Sequence, residues 1–335
     1  MRPFEVRRDP RRRGPYRRRP PRQRSLLVKL QERPLLLLYR AAEWLLTHLP
    51  AAVGIALLQA AYSIAYHAWP PKARIMRANL AHVLGLPTDD PRTATAARRA
   101  YRTYGRYVAE LLRMPSQPEA EIAELIDEHQ LESFLATFDA SHGLIVPSAH
   151  LGNGEAVVAG FSHLGLPANV LADDSTQGEL FDYLTAQRAQ WGVRMIPWRN
   201  LREVYRVLAK GEILGLTVDW GYRPGDVPVR LFGQWTTLPA GPAMLAARTG
   251  ALIVPVFSYR QTSGRYFVFH TDPIRVEGHG KAEIQRVTQR IADALESALA
   301  RAPEQWYSFQ QVWPATAAEQ ARLAERAAET ARAGA

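Results

Sequence analysis

The sequence predicts an α/β fold: a mostly parallel or mixed central sheet flanked by helices, with an N-terminal apolar helical membrane anchor. Two observations carry the sheet: the short apolar runs themselves, and their alternation with helical stretches. From Gly143 onward, short apolar runs such as LIVPS and EILGLTV alternate with longer amphipathic stretches, and that alternation is the pattern of helices covering a sheet on both faces. A third observation carries the anchor. Residues 49–69, LPAAVGIALLQAAYSIAYHAW, form 21 positions without Lys, Arg, Asp or Glu, close to the ~20 that a spanning helix needs.

Before the anchor lies a tail of a different kind. Residues 1–24 hold eleven arginines against Glu5 and Asp9, a net +9, and the other residues net only +1. The high pI therefore belongs to the tail and not to the body. Rich in Arg and Pro and poor in anything to bury, the tail is expected to be disordered. Its basic side chains suit an anionic membrane surface, each contributing on the order of 1 kcal/mol toward anionic lipid. A basic tail ahead of an apolar helix also fits a cytoplasmic N-terminus. Nucleic acid is the other anionic partner, but the body has no basic helix with interleaved aromatics to continue such a surface.

Residues 25–115 read as helix and form the membrane-associating region. Pro50 divides LLLLYRAAEWLLTHL from the apolar run, giving two apolar helices that lie in or against a bilayer, one of them long enough to span it. PKARIMRANLAHVLGL follows, then DPRTATAARRAYRTYGRYVAELLRM, opened by a cap at Asp90 with Pro91 and closed by Pro115 and Pro118. PEAEIAELIDEHQLESFLATF reads as one acidic amphipathic helix. Residues 116–314 make the α/β domain. Its strands are expected in GLIVPSAH, PANVLADD, VRMIPW, EILGLTVDW, ALIVPVFSYR and RYFVFHTDPIRV. Its helices are EAVVAGFSHLG, GELFDYLTAQRAQWG, NLREVYRVLAKG, AGPAMLAARTG and KAEIQRVTQRIADALESALARAP. The alanine-rich residues 315–335 are expected to fray.

The chain has no cysteine, which excludes disulfides, thiolate metal sites and a cysteine nucleophile together. No GxSxG, HExxH or ligand-spaced cluster is present either. The chemistry-bearing stretch is SAHLGNGE. His150 falls at the end of a strand, where open α/β sheets bind their ligands. The turn through Gly152 and Gly154 allows a sharp reversal, and Glu155 then enters the first turn of the next helix. From there its carboxylate is expected to fix the tautomer of His150 and make the ring a better base. Amides near Gly152 and Gly154 are candidates to stabilise an oxyanion. A base without a protein nucleophile suits direct acyl transfer, in which an acceptor alcohol attacks a thioester. Asp219, in TVDWGYRPGD, closes a strand on the same sheet edge, as an acceptor contact, a partner of active-site arginines or a turn cap.

SAHLGNGE resembles the HxxxxD/E motif of glycerolipid acyltransferases. More closely, the chain is similar to the bacterial lipid A biosynthesis lauroyl/myristoyl acyltransferase family, which includes phosphatidylinositol mannoside acyltransferases. The likeness runs from about Leu35 to Pro314, through RIMRANLAHVLG, YRTYGRYVAELLRMP, SAHLGNGE, the block from RNLREVYRVLAKGEILGLTVDWGYRPGD to GPAMLAARTGALIVPVFSYR, and PEQWYSFQQVWP. The resemblance implies a glycolipid O-acyltransferase with His150 as general base and Glu155 as its partner. Asp219 stands at the family's acidic D-x-x-x-G position. Arg199, Asn200 and Arg223 are the substrate-binding candidates near a headgroup. The donor implied is acyl-CoA or acyl-carrier protein, with no cofactor and no metal. The acceptor is a membrane glycolipid of the lipid A precursor or phosphatidylinositol mannoside type, met at the cytoplasmic face of the inner membrane. Gly154 departs from the tryptophan usual in the family's HxGNWE, and Arg230 from an apolar or small polar residue. The alternative is a lysophospholipid acyltransferase of the 1-acylglycerol-phosphate type, whose FPEGT-like run is absent. A non-catalytic membrane or nucleic-acid-binding protein would instead depend on residues 1–24 and be indifferent to His150.

Overall fold

Four helices lead the chain in the computed structural model, which describes residues 26–127, 130–137, 142–173 and 178–334. They are α1 (Leu26–His48), α2 (Ala51–Ala68), α3 (Pro70–Leu84) and α4 (Pro91–Arg113). The basic tail, residues 1–24, lies outside the described residues. Pro50 separates α1 from α2 as expected, and the Asp90 side chain caps α4 by accepting from Arg92 N–H at 2.8 Å. Helix α2 is long and apolar enough to cross a membrane, with a mean hydropathy of 1.3 and 6% of its residues buried. Its Val53, Leu57 and Ile64 are exposed, as are Leu37, Leu38 and Trp44 of α1.

The acidic stretch expected as one helix is broken. It runs as α5 (Glu119–Glu124), β1 (Ile126–Asp127) and α6 (Leu131–Thr137), because Ile126 and Asp127 pair in parallel with residues 266 and 267 of a distant strand. Then the alternation begins: β2 (Leu144–Ser148), α7 (Gly154–His163), β3 (Ala168–Ala172), α8 (Gly178–Gln190), β4 (Arg194–Pro197), α9 (Leu201–Ala209) and β5 (Ile213–Thr217). Periodicity places no strand between Trp220 and Ala240, yet β6 (Val227–Leu231) and β7 (Gln234–Leu238) form an antiparallel hairpin there. Its two-residue turn is Phe232–Gly233, both at positive φ, 49° and 73°, the geometry whose twist matches that of paired strands.

After α10 (Gly241–Thr249), the run expected as one strand splits into β8 (Leu252–Ile253) and β9 (Val256–Arg260). Pro255 has no N–H to continue a ladder, and the two pieces join different sheets. The chain closes with β10 (Tyr266–His270), α11 (Lys281–Arg301) and α12 (Ala317–Gly334). The C-terminal extension thus does not fray. Leu323 and Ala327 are buried, the Gln320 amide bonds both backbone groups of Trp235, and Arg326 donates to the carbonyls of Pro224 and Asp226.

The central sheet has five parallel strands in the order β4-β3-β5-β2-β8, beside a three-stranded sheet β1-β10-β9. Alternate side chains leave opposite faces of a strand. Accordingly Leu144 and Val146 join a cluster with Ala156, Val157 and Trp191, while Ile145 and Leu214 join another with residues of α3, α4, α9, α10 and α11. The N-terminal helices therefore share a core with the sheet. An aromatic chain continues that core. Tyr101 and Tyr104 of α4 pack on Phe309 with ring centroids 5.2 and 4.9 Å away, and Tyr107 stacks on Tyr307 at 5.4 Å. Asn79 of α3 donates to the carbonyls of Ser308 and Gln310 and accepts from Val312 N–H. The segment 307–312 is thereby fastened to the helices.

Helices α2 and α4 touch at Gly105, where an added Cβ would lie 2.5 Å from the carbonyl oxygen of Leu58. Gly105→Ala is expected to push the two helices apart and to cost about 2 kcal/mol of stability, as overpacking does. Chemical denaturation of the detergent-solubilised protein measures it; an unchanged midpoint would show the contact to be slack.

Candidate active site

The pairing of β2 with β5 brings the site together. Ser148 is in register with Thr217, and Val218 N–H donates to Ser148 O at 2.9 Å. Two residues past each of these partners come His150 and Asp219, so the sheet delivers them side by side at its carboxyl edge. His150 Nδ1 lies 2.8 Å from Asp219 Oδ1, and His150 backbone N–H donates to Oδ2 at 3.0 Å. The Trp306 indole N–H donates to Oδ2 as well, at 2.9 Å.

Burial differs sharply across this pair. The Asp219 side chain is 0% exposed and that of His150 is 41% exposed. Burial alone would raise the pKa of Asp219, but the facing His150 ring and the hydrogen bonds from His150 and Trp306 outweigh it and hold the carboxyl below its usual range. An ionised Asp219 accepts from Nδ1–H, which leaves Nε2 as the lone-pair nitrogen. For His150, burial works against protonation, yet the Asp219 charge and hydrogen bond, joined by the smaller effect of the Glu155 charge, prevail and raise its pKa. Trp220 stands edge-on to the His150 ring, centroids 5.5 Å apart.

The turn after His150 is held from both sides. Tyr307 N–H donates to His150 O at 2.8 Å, Gly152 N–H donates to Gln305 O at 3.1 Å, and Leu151 forms a bridge with Trp306. Gly152 has φ 67°, and a Cβ there would lie 2.4 Å from Ser258 O, so only glycine fits. Asn153 caps α7, its side-chain oxygen accepting from Ala156 N–H at 3.1 Å. Gly154, where the family resemblance leads one to expect tryptophan, is exposed, and a Cβ added there would meet nothing within 4 Å.

The remaining sequence candidates fall in several places. Glu155, expected to hold His150, is instead bonded by Arg188 of α8, through Nε at 2.9 Å and Nη2 at 2.7 Å. The helix axis carries its side chain toward α8, while the strand register gives the carboxylate position on His150 Nδ1 to Asp219. Gly152 commits its amide to Gln305 O, which leaves Gly154 as the oxyanion candidate of the two. Arg199 and Asn200 follow β4, three strands from β2 in the sheet and so about 14 Å along it; Arg199 lies over the Trp198 ring at 5.2 Å. Arg223 is exposed in the loop after Asp219, its backbone tied in both directions to the Thr237 hydroxyl. Sequence reasoning misses Arg188 and Trp306. The signal for Trp306 is its place in PEQWYSFQQVWP; Arg188 has none beyond an arginine on a helix that follows the motif.

The site is thus an open parallel sheet with a histidine at its carboxyl edge, backed by a buried carboxylate, on an α/β scaffold. A sequence model of the bacterial lipid A biosynthesis acyltransferases matches residues 22–314, and the chain belongs to that family. It is 25% identical over 252 residues to the phosphatidylinositol mannoside acyltransferase of Mycolicibacterium smegmatis, covering 74% of this chain and 81% of the relative. It is 28% identical over 261 residues to the protein of the same name from Mycobacterium tuberculosis, covering 74% and 79%. The chain is thus an acyltransferase of lipid biosynthesis.

The two carboxylates are expected to separate by experiment. With His150 acting as a base in its neutral form, kcat/KM is expected to rise with pH through a pKa above the ordinary histidine value of about 6.5. Asp219→Asn removes the charge that raises this pKa. The limb is then expected to move to lower pH and kcat to fall about a hundredfold or more; a pH profile of kcat/KM tests both. Glu155→Gln leaves the Arg188 charge buried without its counter-ion and is expected to cost about 3 kcal/mol of stability; because the Glu155 charge also helps raise the His150 pKa, the pH limb is expected to move to lower pH, by less than in Asp219→Asn. Denaturation read beside the pH profile checks it.

Proposed function

We propose that this acyltransferase moves a fatty acyl chain from acyl-CoA or acyl-carrier protein to a hydroxyl of a membrane glycolipid, of the phosphatidylinositol mannoside or lipid A precursor type. The observation that carries the reading is the His150–Asp219 pair, with Nε2 of a half-exposed ring directed away from a fully buried carboxylate. The names of the mycobacterial relatives favour the mannosylated phosphatidylinositol acceptor. Nε2 takes the acceptor's hydroxyl proton as its oxygen attacks the thioester carbonyl. Asp219 keeps the ring oriented and stabilises the imidazolium that forms. The new C–O bond gives a tetrahedral oxyanion, for which the amide at Gly154, in the first turn of α7, is the candidate donor. The C–S bond then breaks, and the departing thiolate takes the proton from His150. No bond to the protein forms at any stage. Glu155 serves the site indirectly, through its pair with Arg188. Arg199, Asn200 and Arg223 remain candidates for outer contacts to a large headgroup.

The apolar surfaces of α1 and α2 support attachment to a membrane, and the arginines of residues 1–24 fit an anionic cytoplasmic leaflet. There a lipid acceptor and a soluble donor can meet. The test is radiolabelled acyl transfer in host membranes, with the labelled lipids separated and identified. His150→Ala is expected to slow transfer a hundredfold or more, with wild type labelling a single glycolipid. Equal labelling by His150→Ala would remove the base from the mechanism.

A further inference from the structure

Three donors converge on the Asp219 carboxylate, and one belongs to a side chain that the reaction as written does not use. Trp306 is 0% exposed and directs its indole N–H to Asp219 Oδ2 at 2.9 Å. A buried tryptophan needs one polar partner for its single N–H; here that partner is an ionised group with no contact to water. The hydrogen bond is therefore charge-assisted, the stronger kind. The placement is also doubly tied to His150. Trp306 bridges Leu151 through the backbone, and its neighbours Gln305 and Tyr307 bond Gly152 and His150. Its ring is itself wedged, edge to face with Trp313 at 6.2 Å. The carboxylate and the loop that bears the histidine are thus set by the same three-residue segment.

We propose that Trp306 is a positioning residue for acyl transfer. Its indole N–H locks the Asp219 carboxylate in one orientation and takes up part of the negative charge that would otherwise fall on His150. The inference rests on His150 being the base. The charged groups around the ring leave this role to Trp306. Glu155 on α7 pairs with Arg188 on α8 and, without touching the ring, adds a smaller upward push on the His150 pKa, and Glu110 on α4 is matched by Arg260. Burial raises the pKa of Tyr107 and Tyr307, so both stay neutral. Asp219 is the charge that touches the ring, and the indole is the neutral side-chain donor that moderates it.

Trp306→Phe keeps an aromatic ring in place and removes only the donor. With radiolabelled acyl-CoA and a phosphatidylinositol mannoside, kcat is expected to fall about tenfold, as for loss of one hydrogen bond to a charged group, with KM unchanged. Relieved of one donor, Asp219 places more charge on Oδ1, so His150 holds its proton more tightly. The acid limb of the pH profile is expected to move to higher pH, opposite to the shift in Asp219→Asn. A drop in kcat with an unmoved limb would mean packing alone and would overturn the proposal, as would a wild-type profile. If Trp306→Phe unfolds, Asp219→Asn/Trp306→Phe decides the matter, because it leaves no unmet charge. A residue acting through Asp219 adds no further loss to Asp219→Asn, whereas an additive loss overturns the inference. His150→Ala separates the two levels: activity there removes the base itself, while an inactive His150→Ala beside a wild-type Trp306→Phe removes only the role of the tryptophan.

Discussion

A carboxylate with no access to water must find its partners inside the protein, and much of this chain is arranged around that need. Asp219 is 0% exposed; an ionised group so buried and left unpaired costs several kcal/mol. Its acceptor sites are filled by the His150 ring, the His150 amide and the Trp306 indole, drawn from segments far apart in sequence. The parallel register of β2 and β5 supplies the first two. The third requires that the segment around Trp306 be carried back across the sheet edge and held. Asn79 and the tyrosines of α4 fasten the residues that follow it. The N-terminal helices thus take part in the geometry of a site to which they give no reacting group.

Separation of the two acidic residues follows from the geometry of a strand and a helix meeting at one turn. Glu155 is five residues from His150, but α7 carries it toward α8, where Arg188 receives it in two hydrogen bonds. Asp219 is 69 residues away and directly opposite. On the proposed mechanism the near carboxylate holds two helices together, and the distant one governs the proton.

Much of this was legible in the sequence. Short apolar runs bounded by Gly, Pro and Asn marked all five strands of the parallel sheet, since a buried strand needs little beyond a few apolar residues and a stop. The same signal put His150 and Asp219 on one edge. What it lacked was register: periodicity gives no strand order, so proximity along the chain favoured Glu155. The misses share that cause. Strand β1 exists because β10 lies beside it, and ALIVPVFSYR divides at Pro255 because its halves answer to different neighbours. The β6–β7 turn was readable in Phe232–Gly233, although a single glycine between strands of mixed polarity is a weak sign. Helix α12 looked polar and alanine-rich because few of its residues face inward, Leu323 and Ala327 among them.

The late position of Trp306 has a consequence for synthesis. A ribosome delivers α1 and α2 well before the segment around Trp306, which follows α2 by about 240 residues. Chains emerge and settle from the N-terminus. The apolar helices are therefore available to find their surroundings long before Asp219 can be sealed. A nascent or truncated chain that ends before Trp306 carries both His150 and Asp219 yet lacks the closing donor, so the apolar helices emerge long before the carboxylate acquires its last partner.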